Sequence, residues 1–468
     1  MRIHRAWQTH SSLADQLRPQ HHGSLSWERV PPFYVYDLHG LRFSWLHACP
    51  RVQQCERTSQ AELLAEVHLH ALLQNHPQRT RNASRALLFV VPVWEWASYI
   101  ARECNGTTHQ KRMSRAASVL HGSPHFKARA GLDHLFVSSA ALWGTETLTH
   151  RLGLRLARML RLSTVGRPHP YSSSSLHEGV GRCTLELPYL SNAHALARRP
   201  NVEHRRRWML LYRGGLRVCC EPGRSVRKAI GRLAARLESA GRHRRARLVV
   251  AERGRQLNAT NRSQLLREQY RLQGEEMAES DFCLCPAGDT VDTSRFYSAI
   301  AAGCIPVVVA NQLAGAFASH VPYERFVLRV EHEAFVQNPE LLLERLSLID
   351  QAAILSMRRA LDAYAADVIY DWPGSRVASN LLRTAWYLCV QDAVQTTHLS
   401  TSASRRAPAE LGGLPCLCTN SLAEYTWPAN RSYAYPADVC RCHSCGRACK
   451  ALLALTLPAA PNLKSAHM

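Results

Sequence analysis

The fold of this chain is decided by the stretch Ser280-Asp-Phe-Cys-Leu-Cys-Pro-Ala-Gly-Asp-Thr-Val-Asp-Thr-Ser-Arg-Phe-Tyr-Ser-Ala-Ile-Ala-Ala-Gly-Cys-Ile-Pro-Val-Val-Val309. It predicts a buried strand at 282–284, a loop at 286–292, a helix that opens at 294–295 and an apolar strand at 304–309. Continuously apolar strands need cover on both faces, so the unit is typical of a parallel sheet. The predicted fold class is therefore α/β.

The helix start that follows the loop is a candidate anion site. Ligands of open parallel sheets bind at the carboxyl ends of the strands, beside helix N-termini. The loop holds Gly288, Ser294 opens the helix with a hydroxyl, and Arg295 offers a charge-assisted bond. The pattern predicts a diphosphate site, and an ordinary crossover with Ser294 as a plain N-cap is the alternative.

The same stretch resembles the donor-binding signature of the exostosin family of glycosyltransferases. The resemblance rests on three blocks: Ser280, Phe282, Cys283, Leu284, Pro286, Gly288 and Asp289; Ser294, Arg295, Ala299 and Ile300; and Gly303, Cys304, Ile305, Pro306 and Val307. It implies nucleotide-sugar contacts from Gly288, Asp289, Ser294 and Arg295. Ser298 stands where the family has an acidic residue at the nucleotide-sugar pocket. Its hydroxyl can bond a ribose or sugar hydroxyl but carries no charge, which weakens the expectation of full activity.

Weaker similarities to the family run from about residue 33 to about 335. They are Phe33–Leu38, Arg79-Thr80 with Ala86–Pro92, Gly131–Val137 with Leu132 in place of an arginine, Arg207–Gly214, and Val321–Val327. The resemblance implies two Rossmann-like domains that face a cleft (GT-B type). It also implies an inverting transfer from a nucleotide sugar, with UDP-sugars the expected donors and no cofactor or metal required.

The landmarks along the chain predict four regions. Residues 1–30 are expected to be disordered, 31–195 to form an acceptor-side α/β domain, 205–395 a nucleotide-sugar-binding α/β domain, and 396–468 a Cys-rich tail. Within the first domain, Ser59-x-x-Glu62 fits a capping box for a helix over 60–74. The linker is placed near 191–204. Helical stretches at 339–366 and 376–394 are expected to close the second domain and to cross back onto the first.

Transfer of a sugar from a nucleoside diphosphate needs stabilisation of the leaving group and a base for the acceptor hydroxyl. We assign the first role to Arg295 and then to Arg213, which Gly214 follows at a strand end; a surface ion pair is the alternative for Arg213. We assign the base to the pair Asp133 and His134, with a local turn and core packing as the alternative. The competing candidates for the base are Glu95, Asp37 and Glu186.

The composition is that of a globular chain with an excess of basic residues. Hydrophobic residues make up 46% of the sequence, and the formal net charge is +22. This charge admits a polyanion-binding surface, but lysine occurs only five times among the 58 basic residues, at 111, 127, 228, 450 and 464. Because phosphate binding tolerates lysine as well as arginine, we interpret the charge as a codon-composition bias. A nucleic-acid partner is not expected.

The tail contains a cluster of six cysteines: Cys416, Cys418, Cys440, Cys442, Cys445 and Cys449. These thiolates can hold zinc, with His443 as a further ligand, or can pair as disulfides in an oxidising lumen. Their spacing does not match a standard zinc finger, so disulfides are favoured and a zinc cluster remains the weaker alternative. Cys283 and Cys304 are expected to pack beside the donor site, with a disulfide between them left open.

The compartment is inferred from sequons and from the resemblance. Asn-x-Ser/Thr acceptors occur at Asn82, Asn105, Asn258, Asn261 and Asn430, which mildly supports a secretory location. The resemblance implies the Golgi lumen and an N-terminal membrane helix, but no apolar stretch of the sequence approaches the roughly 20 residues that span a bilayer.

The leading hypothesis is an inverting Golgi glycosyltransferase that acts on a polysaccharide or glycoprotein glycan. The expected partner is a glycan acceptor, with assembly into oligomers with other glycosyltransferases left open. A degenerate transferase fold that serves as a glycan-binding or partner subunit is the second hypothesis, favoured by Ser298 and Leu132. A basic, zinc-bearing nucleic-acid binder is the third.

Overall fold

The computed structural model describes residues 29–390, except for short gaps. The gaps are 57–60, 63, 130, 132, 139–147, 153–159, 164–182, 219–220, 241–245, 251–258, 289–292, 311–312, 314 and 319. The predictions for the first 28 residues and for the Cys-rich tail therefore lie outside the described residues.

The first sheet has five parallel strands that neighbour one another in chain order. The strands are β1 (Phe33–Val35), β2 (Leu88–Val91), β3 (His134–Ser138), β4 (Leu160–Ser163) and β5 (Cys183–Glu186). The helices of this half are α1 (Pro50–Glu56), α2 (Ala65–Gln74), α3 (Glu95–Ala101), α4 (His109–Gly122), α5 (Pro124–Arg129) and α6 (Leu148–Arg151). The parallel arrangement follows from strands such as β2, in which every residue is buried.

The second sheet is also parallel and has five strands. They are β6 (Trp208–Gly214), β7 (Ala246–Val250), β8 (Ser280–Pro286), β9 (Ile305–Val309) and β10 (Leu328–Arg329). Counted within the sheet, their spatial order is 2-1-3-4-5, because β6 lies between β7 and β8. The chain reverses its winding direction between β6 and β8, which makes the carboxyl ends of these two strands the topological switch point.

Four helices connect or precede these strands. They are α7 (Ala193–Ala197), α8 (Gly223–Ser239), α9 (Ala259–Ala278) and α10 (Ser294–Ala302). Helix α10 ends at Gly303, whose φ of 70° lies in the left-handed region that favours glycine, and β9 begins two residues later. The stretch 280–309 thus forms the predicted strand, helix and strand, and residues 289–292 of the predicted loop lie outside the described residues.

Helix α7 lies within the segment that was predicted as a linker. Asn192 starts it, since its Oδ1 accepts a hydrogen bond from the His194 N–H at 2.9 Å. The chain still passes from the first sheet to the second here, because β5 ends at Glu186 and β6 begins at Trp208. Both sheets belong to one compact unit, and one apolar core continues from β1 and β2 to α10 and β9. The domain boundaries stay a prediction.

The C-terminal helices close the second sheet and return to the first. They are α11 (His332–Gln337), α12 (Glu340–Ser347), α13 (Gln351–Val368) and α14 (Val377–Ala385), which continues as a π-helix at Trp386–Val390. The helix predicted over 339–366 is two helices, because the Asp350 side chain caps α13 by accepting from the Ala353 N–H at 2.7 Å.

Side-chain contacts show where the return takes place. Ser379 of α14 lies 3.0 Å from His76, and Asp371 lies 3.0 Å from His68 of α2. The predicted crossing back onto the first half is confirmed. Over the described part of the chain, no helix combines the length and apolarity that a membrane span requires.

Candidate functional site

The switch point of the second sheet brings together the residues that follow β6 and β8. Strand β6 ends with Arg213 and Gly214, and β8 runs out at Pro286 into Ala287 and Gly288. Helix α10 begins directly after this second loop. Open parallel sheets bind ligands at such a place, because neighbouring loops diverge there and helix N-termini face the gap.

Arg295 lies at this point, in the first turn of α10. Its guanidinium donates from Nη2 to the Arg213 carbonyl at 3.0 Å, and its central carbon lies 5.2 Å from the centre of the Tyr212 ring. The Nε–H has no hydrogen-bond partner among the described residues. A half-buried guanidinium beside a helix N-terminus is suited to an anionic ligand.

Two glycines make the close approach of these elements possible. A Cβ on Gly214 would lie 2.5 Å from Nη2 of Arg295. A Cβ on Gly223, the first residue of α8, would lie 2.3 Å from the Gly288 carbonyl oxygen. Both distances are far below contact distance, so any side chain would push the loop or the guanidinium away. The N-termini of α8 and α10 thus converge on the switch point.

Arg227 of α8 ties the two loops together from beneath. It is buried, and its guanidinium donates from Nη1 to the Gly215 carbonyl at 2.7 Å and from Nε to the Ala287 carbonyl at 3.1 Å. These carbonyls follow β6 and β8, respectively. Sequence reasoning did not single out Arg227, since a helical arginine gives no signal of what its guanidinium contacts.

Arg213 is engaged in a buried ion pair. Its guanidinium makes two hydrogen bonds with the Glu276 carboxylate, at 2.6 and 2.7 Å, and Arg247 binds the same carboxylate at 2.6 Å. The two arginines hold the pKa of Glu276 below its ordinary value against the effect of burial, which alone would raise it. The backbone carbonyl of Arg213 faces Arg295, while its side chain faces α9. Its nucleotide-sugar role stays a prediction, and the geometry favours the ion-pair alternative.

Ser298 faces the interior of the protein. Its hydroxyl accepts from the Asn192 N–H at 3.0 Å and donates to the Ser294 carbonyl at 3.1 Å, and the residue is fully buried. A small hydroxyl group fits this place between α7 and α10. Neither of its two hydrogen-bond partners is a cation, so neither would neutralise the charge of a carboxylate at this position. Asp289, the remaining donor-loop candidate, lies outside the described residues.

A carboxyl group of the first half meets the start of α10. The Ser294 hydroxyl donates to Oε2 of Glu62. Burial raises the pKa of Glu62 to about 7, although the Ser294 hydrogen bond and the charge of Arg295 both act to lower it. The predicted capping box was wrong for this residue, because the helix begins only at Ala65 and Glu62 reaches to α10 instead.

Asp133 and His134 lie inside the first sheet. Oδ1 of Asp133 is 2.7 Å from Nδ1 of His134, and Nε2 of that histidine is 2.8 Å from the Tyr36 hydroxyl. Both residues are buried, and His134 stacks on Phe89. His134 is the first residue of β3, and Asp133 immediately precedes that strand. Base catalysis by this pair stays a prediction, but burial at the amino end of a parallel strand favours the core-packing alternative.

The three competing carboxylates have different surroundings. Glu95 accepts a hydrogen bond from the Leu148 N–H at 2.9 Å and is buried. Asp37 pairs with Arg42 at 2.7 Å on the surface. Glu186 ends β5, and the Tyr297 hydroxyl lies 3.5 Å from its Oε1. Of the three, only Glu186 stands beside α10.

The structure pairs Cys283 with Cys304, which links β8 to the residue before β9. The disulfide between them, which the sequence left open, is therefore formed, and their position beside a donor site stays a prediction. A second disulfide joins Cys49 to Cys104. In the described ranges no three metal-ligating side chains cluster, and the six tail cysteines lie outside those ranges.

This arrangement of sheet order, glycine contacts and helix N-termini defines an α/β protein with a candidate ligand site at the switch point of a parallel sheet. Residues 29–345 match the family model of the Exostosin GT47 domain. The chain therefore belongs to the exostosin GT47 family of glycosyltransferases.

Several plant proteins are similar to the chain over much of its length. The protein named "Probable arabinosyltransferase ARAD1" from Arabidopsis thaliana is 25% identical over 352 residues, which are 73% of this chain and 70% of that protein. A probable glucuronoxylan glucuronosyltransferase from the same plant is 27% identical, over 69% of this chain and 65% of its own. A probable xyloglucan galactosyltransferase, also from Arabidopsis thaliana, is 26% identical, over 62% and 57%. The matches thus span between 57% and 70% of these relatives' lengths.

Proposed function

We propose that the chain transfers a sugar from a nucleoside-diphosphate donor to a hydroxyl group of a polysaccharide or glycoprotein glycan, with inversion at the anomeric carbon. The diphosphate binds at the switch point, where the start of α10 and Arg295 offset its charge. The acceptor approaches from the first half of the chain. The expected donor is a UDP-sugar, and no metal is required.

One observation carries this proposal: Gly214 leaves room for the Arg295 guanidinium at the mouth of the loops after β6 and β8. The family gives the reaction class, and the names of the relatives give arabinosyl, glucuronosyl and galactosyl transfer as the candidates. A leaving diphosphate needs fixed positive charge that is already in place before the reaction, and a half-buried arginine beside a helix N-terminus supplies it.

We place the protein in the Golgi lumen. The two disulfides among the described residues suit an oxidising compartment, since cytosolic thiols are kept reduced. Occupancy of the sequons at Asn82 and Asn105, both in the first half, is the direct test: a mass shift removed by peptide-N-glycosidase supports the location.

The donor is tested by a thermal-shift screen against UDP-arabinose, UDP-glucuronic acid, UDP-galactose and GDP-mannose. A ligand that binds only the folded state raises the melting temperature, by an amount equivalent to about 2.7 kcal/mol at one hundred times its Kd. Turnover is then measured with arabinan, xylan and xyloglucan oligosaccharides. Glycan binding without turnover would support the alternative of a catalytically degenerate, glycan-binding fold. The uncharged Ser298 favours this alternative.

Arg295→Ala tests the site. We expect the affinity for the nucleotide sugar to fall about 10- to 100-fold, the value of a charge-assisted hydrogen bond, with the melting temperature of the free protein almost unchanged. Arg115→Ala, on the exposed face of α4, is the matched control. Unaltered donor affinity in Arg295→Ala would remove this arginine from the site.

A further inference from the structure

We propose that Glu62 is the proton acceptor for the attacking hydroxyl group, an inference that rests on the proposed sugar transfer. Its carboxyl group comes from the first half of the chain and lies against the first residue of the donor-site helix α10. It is therefore the acid that the fold itself places between the acceptor side and the donor side.

The position of Glu62 is fixed by two contacts. Its backbone carbonyl accepts from the Leu190 N–H at 3.2 Å, just beyond β5, and its Oε2 accepts from the Ser294 hydroxyl. The second oxygen, Oε1, has no hydrogen-bond partner among the described residues. One anchored oxygen and one free oxygen are the arrangement that a general base needs, because the free oxygen can take the proton while the other keeps the group oriented.

The charges around this carboxyl group match the role. Arg295 follows Ser294 directly, and its positive charge stabilises the ionised form of Glu62. Tyr270 of α9 also interacts electrostatically with Glu62, whose negative charge raises the pKa of the tyrosine. Burial works in the opposite direction and dominates, so that the pKa of Glu62 rises to about 7. A carboxylate that titrates near neutrality is a stronger base than an exposed one and is still ionised in a useful fraction of molecules.

The proton balance of the step is simple. The acceptor oxygen forms a bond to the anomeric carbon as the bond from that carbon to the diphosphate oxygen breaks. The bonding electron pair leaves with the nucleoside diphosphate, whose charge faces Arg295 and the N-terminus of α10. The proton of the acceptor hydroxyl moves to Oε1 of Glu62, and it is later lost to solvent.

Other carboxylates fit less well. Asp133 is buried behind His134, Glu95 caps α6, and Asp37 is held on the surface by Arg42. Glu186 is the one competitor on this side of α10, so it supplies the sharpest contrast in the experiment.

The test compares Glu62→Gln with Glu186→Gln and with Glu344→Gln, an exposed position on α12. Glutamine keeps the acceptor for Ser294 but cannot take a proton. We expect kcat of Glu62→Gln to fall by roughly 10²- to 10⁴-fold, the usual contribution of a general base, with the Kd for the UDP-sugar unchanged by calorimetry. Glu344→Gln should retain full activity.

The pH profile separates chemistry from structure. In the wild type, kcat should rise with an apparent midpoint near the Glu62 pKa of about 7, and the residual rate of Glu62→Gln should lack this rise. Ser294→Ala should move the midpoint to higher pH, because its hydrogen bond lowers the Glu62 pKa.

The outcomes distinguish the two proposals. A wild-type protein that binds no nucleotide sugar and transfers none overturns both. If the wild type turns over while Glu62→Gln keeps a kcat within about threefold and an unchanged pH profile, only the assignment of Glu62 is overturned. The same holds if Glu186→Gln, and not Glu62→Gln, loses the rise with pH.

Discussion

At the scale of single residues, the proposed donor site depends on a glycine as much as on a charge. Gly214 leaves the volume that Arg295 occupies, since a Cβ there would lie 2.5 Å from its Nη2. The obstructing atom is the far end of a flexible side chain, so an added methyl group would displace the guanidinium and leave the backbone in place. The glycine therefore controls where the positive charge stands.

Gly214→Ala should consequently weaken donor binding without unfolding the protein. We expect about a tenfold loss of UDP-sugar affinity by calorimetry and a small change in melting temperature. The double variant Gly214→Ala/Arg295→Ala should bind no more weakly than Arg295→Ala alone, because both changes act through one guanidinium. Additive losses would show that Gly214 acts on the ligand by another route.

Residue positions were only partly predictable from the sequence. Arg295 stands at the helix start and Gly288 in the loop before it, as predicted, because local spacing determines a strand, loop and helix; their nucleotide-sugar roles stay predictions. Glu62 was interpreted as a helix cap, and the contact of Ser298 with Asn192 was not foreseen, since the partners of both residues lie more than 100 residues away: Ser294 for Glu62 and Asn192 for Ser298. Spacing along the chain cannot reveal contacts of that kind.

At the scale of elements, the two loops of the donor site share one support. Arg227, a buried residue of α8, donates hydrogen bonds to the carbonyls of Gly215 and Ala287. In the proposed site Arg227 contacts these loops and not the ligand, so we expect it to act as a positioning residue. Apolar patterning predicted the strands that carry the loops, but their spatial order was beyond the sequence, because β6 pairs with β8 across an intervening strand and two helices.

Arg227→Met is expected to weaken donor binding and to loosen the loops. The buried Ala287 carbonyl loses its Arg227 donor, which costs about 1–3 kcal/mol before water relieves part of it, whereas the Gly215 carbonyl keeps its hydrogen bond from the Tyr212 hydroxyl at 2.9 Å. We expect a lower melting temperature and a raised KM for the UDP-sugar with a smaller change in kcat, and faster amide exchange at 286–288 by mass spectrometry. Arg232→Met, on the exposed face of α8, is the control. Unchanged exchange at 286–288 would contradict this role.

At the scale of the whole molecule, the two halves are joined by α14, which returns from the second sheet to the first. Two histidines contact this helix: His76 of the first half contacts Ser379, and His320, which follows β9 in the second half, contacts Thr384, each at 3.0 Å. Burial, and then the nearby charge of Arg383, lowers the pKa of both, to about 4 for His320. The histidines that contact α14 are therefore neutral imidazoles near pH 7.

This arrangement should make the protein sensitive to mild acid. A histidine whose folded pKa is depressed takes up protons in the unfolded state first, so its contribution to stability is complete above about pH 6.5 and is lost as the pH falls toward about 4. Glu62 acts in the opposite sense, because a raised carboxyl pKa adds stability as the pH falls from about 7. The net slope of the wild type is thus a balance of the two effects.

His320→Gln isolates the histidine contribution, because glutamine preserves a hydrogen-bonding group for Thr384 and does not titrate. We expect the free energy of unfolding of the variant, relative to that of the wild type, to increase by on the order of 1 kcal/mol as the pH falls from 7.5 to 5. This value is reduced for partial solvent screening. That gain corresponds to a rise of about 2–4 °C in the relative melting temperature over the same range. His39→Gln, at an exposed histidine that follows β1, is the control and should run parallel to the wild type. If His320→Gln also runs parallel, protonation of His320 does not govern the packing of α14.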